Sequence, residues 1–312
     1  MSLLGRLRSL PRALAIQLKI FLIRLQEVRT FFRFPRLIKV GSAGTGRRVL
    51  LYGIPYADWN ATLSNRALWA QMADIAQVLR LPANPLGSGA RADDIVIAMK
   101  TSHTKRRRGG RALEPTALAI STLEDKAKFA AYMVACGFAD CCPQTYADRQ
   151  EVVFPCILKR TDLSASLGVA IVRSGPHLEE LLRSPTFEGR PYILQAAVAG
   201  NVEYATYCVC KVGHVLWNCT FATDIGDTVA IKREDNALRR HATVTSEAVV
   251  RQIETVLSPL AYSGPCNVDY KLSADGRMQI FEINPRLGGT LMLPAQAEQL
   301  RAAMACIIEH AS

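Results

Sequence analysis

GPCNVDYKLSADGRMQIFEINPRLGGT, residues 264–290, contains two strand-like runs around a tight turn. Residues 265–272 and 277–284 form the runs, and Ala274-Asp275-Gly276 supplies the chemistry of a hairpin turn. Side chains two apart in a strand share a face, so Glu282 and Asn284 project together while Ile283 points into the core. Pairing about the turn brings Asp269 near Glu282, and three oxygen donors meet on one side: carboxylate, carboxylate, amide. Hard oxygen donors suit Mg²⁺, with Mn²⁺ as an alternative, and no His or Cys joins them to favour zinc. A solvated acidic face on an edge hairpin is the plainer alternative. The apolar flank Met278, Ile280, Phe281 and Ile283 argues for burial, and buried acids without cations are costly. Asn-Pro-Arg-Leu-Gly-Gly then ends the strand sharply and sets Arg286 beside the acids, where a guanidinium could grip a phosphoryl or carboxylate group.

Upstream, Val49–Ile54 reads as a buried strand, residues 62–80 as a helix with apolar spacing near 3.6, and Ile95–Met99 as a further strand. Together they predict a small β-α-β unit. Residues 122–137 predict a helix started by Thr122 with Asp125 and stopped by Gly137. Strand-like Val153–Lys159 follows, then a loop at 161–168, a strand at Val169–Val172, a helix near 176–184 and a strand at 191–195. Residues 202–223 predict a hairpin turning at Gly213, residues 245–260 a helix, and residues 293–309 a final helix. Lys159 ends an apolar strand and is poised to reach an anion. Ser164, Ala165, Ser166 and Gly168 in the following loop let backbone N–H groups approach oxygens closely.

The formal charge of +11 is uneven: residues 1–40 hold nine Lys/Arg against one acid, Glu27. Within them, residues 13–25 are apolar but interrupted by Gln17, Lys19 and Arg24, too broken for a membrane span or a signal peptide. A basic amphipathic helix fits this pattern, lying on an anionic membrane surface, acting as a targeting segment, or packing on the protein's own body. Nine cysteines contain no C-x-x-C pair and lie mostly in apolar runs, which predicts buried, reduced thiols in a cytoplasmic protein.

The hairpin resembles the C-terminal signature of the ATP-grasp superfamily: Asp, a turn, then Glu-x-Asn-Pro-Arg and glycines. Upstream elements follow in the family's order. Asp125-Lys126 resembles the helix start with the first phosphate lysine, and Cys156–Arg160 the strand with the second, Lys159. Thr161–Val169 is similar to the phosphate loop of the D-alanine–D-alanine ligase branch, with Ser164, Ser166 and Gly168 at the phosphates. Tyr192–Tyr204 is similar to the adenine hinge, where Gln195 begins it, Ala196 to Val198 pair with the base and Glu203 accepts the ribose hydroxyls. Lys232, Arg233 or Arg239 would meet the γ-phosphate, with His241 an outside candidate.

The resemblance implies an α/β protein with an α+β ATP-binding part, two subdomains clamping ATP behind a small β-α-β unit. The expected division is 1–46 (basic segment and linker), 47–114 (small unit), 115–190 (phosphate loop) and 191–312 (hinge and metal site). It implies ATP and Mg²⁺ as cofactors, with Asp269, Glu282 and Asn284 as metal ligands and Arg286, Lys159 and Asn284 in catalytic roles. The implied reaction activates a carboxylate as an acyl phosphate for attack by an amine or thiol. A kinase of the same fold and a non-catalytic nucleotide-binding module are the alternatives. Small carboxylate and amine substrates are the expected partners, and nucleic acid is not. The substrates' identities and the oligomeric state are not written in the sequence.

Overall fold

The computed structural model describes residues 38–40, 48–53, 59, 77–81, 90–104, 109–163, 168–226 and 239–312, together with Leu18, Phe21, Leu22 and Leu25. Three sheets organise them. The first contains β1 (Ile38–Val40), β2 (Arg48–Tyr52), β3 (Gln77–Leu81) and β4 (Ile95–Ala98) in the order β1-β3-β2-β4. β2 runs parallel to both β3 and β4, and β1 is antiparallel to β3. Val49, Leu50, Leu51 and Tyr52 are all buried, as expected of an apolar run covered on both faces. Residues 77–80 correct the predicted helix over 62–80: they belong to β3, because parallel pairing with β2 supplies backbone partners that local periodicity cannot register. The rest of that helix lies outside the described residues, as does most of the basic segment.

A four-residue helix, α1 (Thr101–Thr104), follows β4, and two consecutive helices replace the single one predicted over 122–137. α2 (Ala117–Glu124) is capped by Thr116, whose hydroxyl accepts from the Ala119 N–H. α3 (Lys126–Ala135) is capped by Asp125, which accepts from the N–H groups of Ala127 and Lys128. Asp125 takes extended backbone angles to make that cap, and this splits the helix. The second sheet is antiparallel throughout, ordered β5-β8-β6-β7, from β5 (Thr145–Tyr146), β6 (Cys156–Arg160), β7 (Val169–Val172) and β8 (Tyr192–Ala196). α4 (Gly175–Arg183) closes its core, placing Leu178 against Leu158, Val172 and Leu194.

The third sheet carries β9 (Val202–Lys211), β10 (His214–Asp224), β11 (Arg239–Thr243), β12 (Gly264–Leu272) and β13 (Met278–Asn284), ordered β11-β10-β9-β12-β13. α5 (Glu247–Leu257) and α6 (Ala297–His310) pack on it. β9 is buried on both faces, and its alternation shows why. Ala205, Tyr207 and Val209 join a core with α6 and the first sheet, while Cys208 and Cys210 join one with α3 and α5. Val212 and Gly213 turn β9 into β10 with positive φ at both positions (50° and 84°), the geometry a two-residue hairpin demands. All nine cysteines are free, and burial pushes the thiol of Cys142 up to about 11 and that of Cys219 to about 12. Among the described residues, no helix is long and apolar enough to cross a membrane.

Candidate active site

The β12–β13 register sets Asp269 directly opposite Glu282 and Asn267 opposite Asn284, with an irregularity just after Asp269. Val268, Ile280 and Ile283 fill the core on the other face. The polar face is half-buried at Asp269, Glu282 and Asn284, and buried at Asn267. Asp269 Oδ2 accepts from Asn267 Nδ2 at 2.7 Å and from Asn284 Nδ2 at 3.4 Å. Asn284 Oδ1 accepts from Arg286 at 3.3 Å, and Arg286 also donates to the Leu287 carbonyl at 2.9 Å. Two carboxylates directly across a strand pair repel each other unless a cation lies between them. Among the described residues, no three His, Cys, Asp or Glu gather as a metal cluster, and the Asn284 side chain turns its NH2 toward Asp269 and its Oδ1 toward Arg286.

The two lysines come from different elements. Lys159, on β6, holds its ammonium 5.5 Å from the Phe281 ring centroid on β13, so the second and third sheets face each other here. Desolvation lowers the Lys159 pKa to about 8; Glu282 opposes that shift, Lys126 adds to it, and Glu203 opposes it more weakly. Four charged groups, from β6, α3, β9 and β13, therefore lie within electrostatic reach of one another. Lys126, at the first position of α3, donates to the Leu163 carbonyl at 2.6 Å, at the stem of the loop after β6. Gly168 closes that stem with φ of +67°, and a Cβ there would lie 2.8 Å from Cδ of Arg160. Arg160 is buried and braced by Asp162 (2.8 and 2.5 Å) and by the Thr186 carbonyl at 2.9 Å. Ser164 and Ser166 lie outside the described residues.

Gln195, on β8, is buried; its amide donates to Thr145 at 3.1 Å, and among the described residues its Oε1 has no hydrogen-bond partner. The Ala196 N–H is taken by the Gln144 carbonyl. The Val198 carbonyl accepts from Lys271 Nζ at 3.0 Å. Lys271 is a buried cation that the sequence reading passed over. Its signal was present: Asn267, Asp269 and Lys271 recur at two-residue spacing on β12. Asn267, whose Oδ1 is buried without a partner, was missed in the same way. Glu203 pairs with Thr223 across β9 and β10. Arg239 opens β11 and His241 is exposed on it, while Lys232 and Arg233 lie outside the described residues.

The second and third sheets thus meet where Lys159 on β6 faces Phe281 on β13. Similar solved structures include D-alanine–D-alanine ligase from Bacillus anthracis complexed with ATP (TM-score 0.56, 16% identity, 84% of this chain and 95% of that one). N5-carboxyaminoimidazole synthase from Aspergillus clavatus, in complex with ADP and 5-aminoimidazole ribonucleotide, is similar at TM-score 0.56 and 17% identity over 84% and 77% of the two chains. So is the macrocyclase MdnC from Microcystis aeruginosa, bound with precursor peptide MdnA, at 0.54 and 14% over 83% and 98%. The chain has the ATP-grasp fold. At these identities the likeness is one of fold, and at the level of sequence no family model and no curated protein matches the chain.

Proposed function

We propose that the chain is an ATP-dependent ligase. The γ-phosphoryl of ATP passes to a carboxylate oxygen, an amine or thiol attacks the acyl phosphate, and ADP and phosphate leave. The observation that supports this reading is that Lys126, Glu203 and Glu282 all act electrostatically on the Lys159 ammonium, which lies against Phe281 of the hairpin that carries the Asp269–Asn284–Arg286 face. A carboxylate is a poor electrophile, and protein groups chiefly position the reactants and neutralise charge. Lys126 and Lys159 hold phosphates, with Ser164, Ser166 and Gly168 in the loop above them and Lys232 (or Arg233 or Arg239) toward the γ-phosphate. The backbone of Ala196 to Val198 receives adenine, and the unpartnered Gln195 Oε1 suits its amino group. Glu203 takes the ribose hydroxyls. The all-oxygen donor set Asp269, Glu282 and Asn284, with its facing carboxylates, fits Mg²⁺ or Mn²⁺. Bound there, the cation supplies charge neutralisation for phosphoryl oxygens. Arg286 stabilises charge on the acyl phosphate. In this reading residues 115–190 and 191–312 are the two halves of the clamp, behind the 47–114 unit.

The test is ADP release with Mg·ATP and paired carboxylate and amine substrates, with hydroxylamine present to trap the acyl phosphate as a hydroxamate. Glu282→Gln is expected to keep nucleotide affinity within several-fold and to lose about 100-fold in turnover. Unchanged turnover would remove the metal assignment. A stable phosphomonoester in place of the hydroxamate would make the chain a kinase.

A further inference from the structure

Arg286 is held by more than its own strand. Its guanidinium carbon lies 5.9 Å from the ring centroid of Trp59. Trp59 follows β2 in the small α/β unit, far from the hairpin in sequence, and is 2% exposed in the core shared by the first and third sheets. The same ring touches the turn again: a Cβ on Gly289 would sit 3.5 Å from Trp59 Nε1. From the other side, a Cβ on Gly288 would come within 1.9 Å of the Tyr207 ring on β9. The turn 286–289 thus lies beside both rings, and Gly288 is what allows the close approach of Tyr207. Indole is the ring that attracts a cation most strongly, and a guanidinium held over it at this distance still has N–H groups for hydrogen bonding.

We propose that Trp59 is a positioning residue that holds the Arg286 guanidinium in place at the end of the hairpin, so that its N–H groups meet an anion there. The small unit thereby orients the anion-binding group of the third sheet. The identity of that anion as a phosphoryl group rests on the ligase reading; the Trp59–Arg286 coupling does not.

The probe is inorganic phosphate, titrated in the presence of Mg·ADP. In a protein carrying Trp69→Phe and Trp217→Phe, Trp59 is the sole indole. Its emission should change on phosphate binding, and Arg286→Lys should abolish that response. By calorimetry, Trp59→Leu should weaken phosphate binding about tenfold while Mg·ADP affinity stays within about twofold. Trp59→Phe, which keeps a ring face, should stay within about threefold of the parent. An emission indifferent to phosphate or to Arg286→Lys overturns the proposal, as does unchanged phosphate affinity in Trp59→Leu. Parallel loss of Mg·ADP affinity also overturns it, by reducing Trp59 to a structural role. If these responses hold but no ADP is released with any substrate pair, the ligase reading falls and the coupling stands.

Discussion

Lys159 carries a charge that the fold disfavours. Burial removes its water, Lys126 repels it, and Glu282 and Glu203 compensate only in part, so its pKa falls from 10.5 to about 8. Folding therefore costs free energy whenever the lysine must be charged, which is fully so below pH 8. The folded state binds fewer protons than the unfolded chain between pH 8 and 10.5, so the penalty fades as pH rises through that window. The full penalty is about 3 kcal/mol at most. Lys159→Met should accordingly stabilise the metal- and nucleotide-free protein below pH 8, seen as a higher Tm. That advantage should shrink toward pH 10. An advantage independent of pH would place its origin in packing rather than charge. Under the proposed ligase function the same substitution removes a phosphate-binding cation and should weaken ATP binding.

The elements that position charged groups owe their ends to single capping residues. Asp125 stops α2 and starts α3, and in doing so sets Lys126 at the first helical position. Its carboxylate accepts at 2.9 and 3.0 Å from two N–H groups that the helix cannot pair internally. Asp125→Ala should lower unfolding free energy by about 1 kcal/mol in urea, with the slope of the transition unchanged. Asp125→Asn, which keeps an acceptor, should recover most of that loss. The β12–β13 hairpin shows the same economy. The turn at Ala274-Asp275-Gly276 pairs Leu272 with Met278 and Tyr270 with Ile280, and the one-residue irregularity after Asp269 then sets Asp269 opposite Glu282 instead of Phe281.

At the scale of the whole molecule, the small unit and the third sheet share one hydrophobic core. Val49, Leu51, Trp59, Ile95 and Ile97 pack with Tyr207, Val209, Leu291, Met304 and Ile308. The chain's end is tied into the same junction: Arg111 donates to the Ala311 carbonyl at 2.7 Å, and the Ala112 N–H to the Ser312 carbonyl. The third sheet without the small unit would expose an apolar face that normally lies in a core. A chain lacking residues 1–108 should therefore bind a hydrophobic dye or precipitate. Calorimetry of the full chain should show these two parts melting in one transition. Two separate transitions, or a well-folded truncated chain, would show that the shared core is dispensable.

The amino-acid sequence by itself determined whatever depends on neighbours along the chain. Period-two alternation with an Asp-Gly turn put Glu282 and Asn284 together near Asp269, and Lys159 toward the end of an apolar strand; the irregularity after Asp269 that sets it opposite Glu282 is a feature of the folded ribbon. The order of these elements was enough to name the fold. Contacts between distant segments decided the rest. β3 became a strand because β2 offered it parallel partners, against its own helical spacing. Lys271 and Trp59 gained their partners, the Val198 carbonyl and Arg286, from segments far away along the chain. Local periodicity records which face of an element is apolar; it carries no record of what that face, or a polar side chain beside it, will meet.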